Sequence, residues 1–174
     1  MLKKILALLA VAIVAVLGFA ATRPDSFTVQ RSTLVKASPA KLYPLISDLK
    51  AFNTWNPFSA ADPTSKITYA GATTGKGAAY TWQGGESGEG RMELTDAQEG
   101  SKVTYKLDFT KPMQAQNVVE FSLEPQGDAT NVTWAMRGPM PFVSKVMTLF
   151  FDMDTMVGGE FEKGLVSLKA LAER

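Results

Sequence analysis

The chain has 174 residues, 45% of them apolar, enough for one domain with its own core and an appended segment. It holds no cysteine and no histidine, which excludes disulfides, thiolate nucleophiles, zinc–thiolate sites, imidazole metal ligands and a histidine-based triad. Lys+Arg 18 nearly balances Asp+Glu 17, and no dense basic cluster is present to follow phosphates, so nucleic acid is not an expected partner.

Met1, Leu2, Lys3 and Lys4 precede an uncharged apolar run over 5–21. As a helix it is about 26 Å long, close to the roughly 30 Å of a bilayer's hydrocarbon core. Lys3 and Lys4 hold the start of the chain on the cytoplasmic side and send the rest outward, into the periplasm in a Gram-negative cell. Gly18-Phe19-Ala20 offers the small residues of a signal-peptide cleavage site, the rival reading. The run exceeds the usual signal core of roughly 7–15 residues, which favours an uncleaved anchor. Residues 1–22 are thus an anchor or signal peptide, 23–26 a polar linker, and 27–174 the domain. Without Lys3 and Lys4, 16 basic face 17 acidic side chains, a net of −1.

Phe27, Val29, Arg31, Thr33 and Val35 alternate with Thr28, Gln30, Ser32 and Leu34, which predicts a first strand. Ser38-Pro39 opens a helix as N-cap and first helical residue, with Leu42, Leu45, Ile46 and Leu49 as its stripe. A second short helix ends before Pro57. Phe52, Trp55 and Phe58 either plug the corner between helices and sheet or line the mouth of a pocket; core packing is the commoner use of such residues.

Alternating runs follow, divided by turns. Lys66 to Tyr69 precedes a glycine-bearing loop at 71–77. Tyr80 and Trp82 share one strand face, as do Met92 and Leu94, with Arg91 and Glu93 opposite. Gln83-Gly84-Gly85-Glu86-Ser87-Gly88 is a turn. Val103, Tyr105, Leu107 and Phe109 alternate with Thr104, Lys106 and Asp108. Val119, Phe121 and Leu123 form a face of the next strand, and Val132, Trp134 and Met136 of the last. One apolar and one polar face mark an antiparallel sheet covered on one side, and the short turns predict a meander. Gly71, Gly75 and Gly77 lead into a strand, which excludes a phosphate loop.

Gly138-Pro139-Met140-Pro141 breaks the sheet. Phe142, Val143, Val146, Met147, Phe150 and Phe151 then keep helical spacing. The segment is read as a helix packed on the domain, with a lid or a membrane-touching surface as the alternative. Over 154–173, Val157, Phe161, Leu165, Leu168 and Leu171 share one face of a long helix, capped by Asp152 or Asp154. Gly158, Gly159 and Gly164 each cost roughly 1 kcal/mol there relative to alanine. They let the sheet come close, or they leave a cavity beneath the helix. A helix after a run of strands gives an α+β architecture, a sheet wrapped around a helix.

Ser38-Pro39, Trp55-Asn56-Pro57, Gly75-Lys-Gly-Ala-Ala-Tyr-Thr-Trp82, Gly88-Glu-Gly-Arg-Met92, Thr130-Asn-Val-Thr-Trp134 and Phe161-Glu-Lys-Gly-Leu-Val-Ser-Leu-Lys-Ala170 come in an order that resembles the polyketide cyclase/dehydrase-like SRPBCC proteins. These belong to the START-related helix-grip superfamily, and the hydrophobic N-terminal segment matches its membrane-anchored branch. The resemblance implies six or seven antiparallel strands gripping the C-terminal helix, with a hydrophobic cavity between them for lipids, polyketides or other apolar molecules. It supplies no invariant catalytic set.

The leading expectation is a binding module without enzymatic activity, holding a hydrophobic small molecule or lipid near a membrane. Trp55, Tyr80, Trp82, Met92, Tyr105, Trp134, Met136, Phe150 and Phe161 are the candidate lining, though core packing explains most of them equally well. The alternatives are a small cyclase, dehydratase or hydrolase using Tyr80, Tyr105 or Arg91, and a partner-binding or chaperone-like domain with a filled core. No cofactor or metal is expected, because a site would need oxygen ligands and no stretch gathers carboxylates at calcium-loop spacing. Sequencing the N-terminus of the mature protein should return the intact start; a product beginning at Ala21 would show cleavage and remove the anchor.

Overall fold

The computed structural model describes residues 2–85 and 87–174. Met1, and Glu86 within the expected turn, lie outside the described residues. A 20-residue helix, α1 (Leu2–Ala21), precedes strand β1 (Ser26–Val35). Three short helices follow: α2 (Pro39–Ser47), α3 (Leu49–Phe52) and α4 (Pro57–Ala61). Then come β2 (Lys66–Gly71), β3 (Ala78–Gln83), β4 (Glu89–Gln98), β5 (Lys102–Lys111), β6 (Ala115–Gln126) and β7 (Ala129–Pro139). Helix α5 (Phe142–Met147) and the long α6 (Met153–Ala172) close the chain.

The strands form one antiparallel seven-stranded sheet in the order β1-β7-β6-β5-β4-β3-β2. From β2 to β7 it is the expected meander; β1 then returns to pair with β7, matching Ser26 to Pro139 and Val35 to Thr130. Helix α6 packs along β1 and β7, with α2 and α4 beside it. This is the helix-grip arrangement that the resemblance implies.

Local chemistry explains the boundaries. The Ser38 side chain accepts from the Lys41 N–H and Pro39 starts α2. Pro57, expected only to end a helix, instead opens α4, because the Asn56 side chain caps the Phe58 N–H. Asp152 caps α6, accepting from the Thr155 N–H at 3.2 Å and from its hydroxyl at 2.6 Å. In the loop at 71–77, Gly71 takes φ +76°, and a Cβ there would lie 2.1 Å from the Gly77 carbonyl oxygen.

The core is aromatic. Trp134 lies flat on Phe161, ring centroids 4.2 Å apart and planes 10° from parallel. Phe121 approaches Trp134 at 4.8 Å, and Trp55 meets Phe52 edge-on at 4.9 Å. Such pairs contribute about 0.5–1.5 kcal/mol each beyond area burial. Phe52 and Trp55 therefore plug the corner, as the commoner reading held, while Phe58 stays partly exposed at its edge.

The helix glycines do not leave empty volume. A Cβ on Gly164 would sit 2.7 Å from Trp134 Cζ3 and 2.9 Å from Pro57 Cδ. A Cβ on Gly158 would sit 2.1 Å from Arg31 Nη2. Gly164 lets the indole of Trp134 against the helix backbone, and Gly158 admits a guanidinium. The expected cavity beneath the middle of the helix is thus filled by side chains of the sheet. Gly159 alone of the three has open space.

Gly164→Ala should therefore destabilise the fold by about 1–3 kcal/mol through overpacking, whereas Gly159→Ala should stabilise it by up to about 1 kcal/mol through helix propensity. Chemical denaturation of the full chain in detergent measures both. Equal gains at the two sites would mean that a void lies beneath Gly164.

Candidate functional site

Most of the expected lining residues are brought together, but as packed core. Trp55, Tyr80, Met92, Tyr105, Trp134, Met136 and Phe161 are all buried, and Trp82 is half-buried. Trp55 donates its indole N–H to the Leu45 carbonyl at 2.8 Å, Tyr105 donates to the Ile46 carbonyl, and the Tyr80 hydroxyl reaches Met92 Sδ at 3.5 Å. The Trp134 indole N–H has no acceptor among the described residues. Phe150 stands apart, 70% exposed in the turn after α5.

The tyrosines are poorly set up as bases. Burial pushes both phenols well above their ordinary range, so each stays protonated near neutral pH. Arg91, the other catalytic candidate, pairs with Glu93 on the opposite face of β4 from the buried Met92 and Leu94. Arg91 therefore does not share the interior in which Tyr80 and Tyr105 lie.

Open space is found elsewhere, at the end of the domain where α1 is attached. A groove of about 550 Å³ lies between the start of β1 and the start of α6. Its floor comes from Ser26, Phe27, Thr28 and Val29. Leu149, Phe150 and Phe151 form one wall, Asp152, Met153 and Asp154 another, with Met140 and the linker residues Arg23 and Pro24 at the rim. Of the nine residues expected to line a pocket, Phe150 alone lines it. Val29 of the floor is paired in register with Met136, which connects the groove to the core behind it.

Backbone geometry builds this opening. The pairing of Ser26 with Pro139 is continued by the Met140 N–H donating to the Asp25 carbonyl at 2.7 Å, which holds both chain ends together. Pro139 and Pro141 end the strand. After α5 the chain keeps turning, with the Phe150 and Phe151 N–H groups donating to the Met147 carbonyl, until Asp152 caps α6. The turn delivers Leu149, Phe150 and Phe151 side by side. The sequence marked this segment as apolar, but it carries no sign that Phe27 and Val29 would face it across the domain.

One electrostatic clamp holds the helix end of the groove. Arg31, on the inward face of β1, donates from Nη2 and Nη1 to the two carboxylate oxygens of Asp154 at 2.9 and 3.1 Å, and from Nε to Glu162 at 2.7 Å. Asp154, Gly158 and Glu162 fall at four-residue steps, so the guanidinium lies across Gly158 between two carboxylates. The hydrogen bonds from Arg31 hold the Asp154 carboxyl below its usual range, and the Thr155 cap does the same for Asp152. Both carboxylates beside the groove are therefore ionised near neutral pH and already hydrogen-bonded, which leaves neither as a ready proton donor. Among the described residues, no group of three or more acidic side chains gathers to hold a metal ion.

The fold is similar to that of several solved proteins. Protein CV1439 from Chromobacterium violaceum superposes with a TM-score of 0.62 at 16% identity, covering 85% of this chain and 99% of that one. The Aha1 dimer from Colwellia psychrerythraea gives 0.60 at 17% identity, covering 84% and 96%. Protein MLL2253 from Mesorhizobium loti gives 0.59 at 16% identity, covering 83% and 98%. At these identities the likeness concerns the fold alone. No curated protein matches the chain by sequence. The family model described as polyketide cyclase / dehydrase and lipid transport matches residues 26–173, and the chain belongs to that family.

Proposed function

We propose that the protein is a membrane-anchored binding domain for a hydrophobic small molecule or lipid, held in the groove between β1 and the start of α6. The observation that carries this reading is the groove itself: about 550 Å³, floored by Phe27 and Val29 and walled by Leu149, Phe150 and Met153. That volume falls within the roughly 300–1,000 Å³ typical of small-molecule sites. Its lining is mixed: Arg23, Ser26, Thr28, Thr148, Asp152 and Asp154 would orient a ligand's polar head, while Phe27, Val29, Leu149, Phe150, Phe151 and Met153 would take its apolar body. The aromatic residues from Trp55 to Phe161 then serve as the rigid wall behind it.

The anchor reading rests on α1. It is 20 residues long, an 18-residue stretch of it has a mean hydropathy of 2.6, and nearly all of it is exposed. At 1.5 Å per residue it matches a bilayer's hydrocarbon core. Lys3 and Lys4 orient it with the domain outside the cytoplasm. Binding is favoured over catalysis because the groove's carboxylates are committed to a cap and an ion pair, and because the buried tyrosines hold their protons.

The test is photo-crosslinking of the full chain in lipid nanodiscs with a diazirine-bearing fatty acid, mapped by mass spectrometry of peptides. Labels should concentrate on Phe27, Leu149, Phe150 and Met153. Labelling confined to α1, or spread without preference over the domain, would remove the groove as the binding site.

A further inference from the structure

The segment 142–151, expected to be a helix packed on the domain or else a lid or membrane-touching surface, leaves most of its large apolar side chains exposed. Phe142, Val143, Met147, Phe150 and Phe151 are 47%, 63%, 43%, 70% and 58% exposed. Val143, Met147 and Phe150 follow one another at four and three residues, so they form a single outward stripe. Soluble domains do not usually gather so many large apolar side chains in one exposed patch.

Three further observations say what covers it. First, α5 contacts α1, and Ala20, near the C-terminal end of α1, is that helix's one fully buried residue. The patch therefore sits where the candidate span leaves the bilayer. Second, the segment contains no acidic residue, and its one cation is neutralised. Lys145 is nearly buried and donates to Asp25 of the linker. No unpaired charge has to be taken out of water. Third, the same turn supplies Leu149, Phe150 and Phe151 to the groove wall.

We infer that α5 and the turn after it form a second membrane contact, an apolar foot that lies in the outer leaflet beside α1 and sets the mouth of the groove at the level of the acyl chains. Interfacial helices of this kind bury their apolar face about 5–10 Å into the headgroup boundary. The occupant of the patch is the lipid surface itself. The Lys145–Asp25 pair and the Met140–Asp25 backbone bond fix the foot to the linker, so it follows the anchor. A ligand passes from leaflet to groove without crossing water. The inference rests on the anchored reading of α1, but not on any ligand.

The chain has no cysteine, so single cysteines report unambiguously. Val143→Cys, Phe150→Cys, Leu9→Cys and Asp128→Cys would each be labelled with an environment-sensitive fluorophore on the full chain. The proteins would be placed in phosphatidylcholine–phosphatidylglycerol vesicles carrying nitroxides on the acyl chains. Asp128, in the turn between β6 and β7, lies about 35 Å along β7 from Pro139 and serves as the aqueous reference. The labels at 143 and 150 should be blue-shifted and quenched several-fold more than the one at 128. If 143 and 150 behave like 128 while 9 is quenched, the anchor stands and the foot is wrong. If 143 and 150 are quenched and 9 is not, the anchored reading fails and the foot, as a second contact beside α1, falls with it. If neither is quenched, both readings fall.

Discussion

Everything in this domain follows from how closely α6 approaches the sheet. Trp134 stacks flat on Phe161 because Gly164 leaves no Cβ between the helix and the indole. One turn and a half earlier, Gly158 does the same for the Arg31 guanidinium. At both positions the helix gives up propensity, roughly 1 kcal/mol per glycine, for contacts that no larger residue would permit. The result is a helix gripped by an aromatic stack on its inner face and by a charged clamp at its edge.

That close approach decides where a ligand can go. With Trp134, Phe161, Phe121 and Trp55 interlocked, the space under the middle of the helix is taken. The opening is displaced to the helix's first turn, where Asp152 restarts the chain after α5 and no sheet residue fills the gap. The clamp of Arg31 on Asp154 and Glu162 lies at the edge of the helix beside this opening. Hydrogen bonding to the guanidinium lowers the pKa of the Asp154 carboxylate, so the Arg31–Asp154 pair is formed at neutral pH. It is lost only as pH falls through that depressed value.

The architecture was largely legible in the sequence. Strict alternation marked β5, β6 and β7, and the spacing of Phe161, Leu165 and Leu168 marked α6, because burial on one face imposes those periods directly. The site was less legible. Large aromatics at inward positions are needed for a core and for a pocket alike, so periodicity could not separate Trp134, which is packed, from Phe150, which is exposed. Gly164 illustrates the same limit. A glycine in a helix signals close approach or empty space, and only the position of Trp134 decides between them. The floor of the groove, Phe27 and Val29, depends on β1 returning to pair with β7 across the whole length of the domain, a juxtaposition with no local signature.

The groove lies on the α1 side of the domain, between the first turn of α6 and the strand that α1 leads into. Its volume and its nearness to α1 are the observations on which the proposed uptake of an apolar molecule rests. Native mass spectrometry of the full chain released from membranes, compared with Leu149→Trp, addresses this most directly. The account predicts one apolar molecule bound per chain in the parent protein and its loss from the variant, with the fold retained. A parent protein that carries no such molecule, or a variant that holds it equally well, would contradict the account.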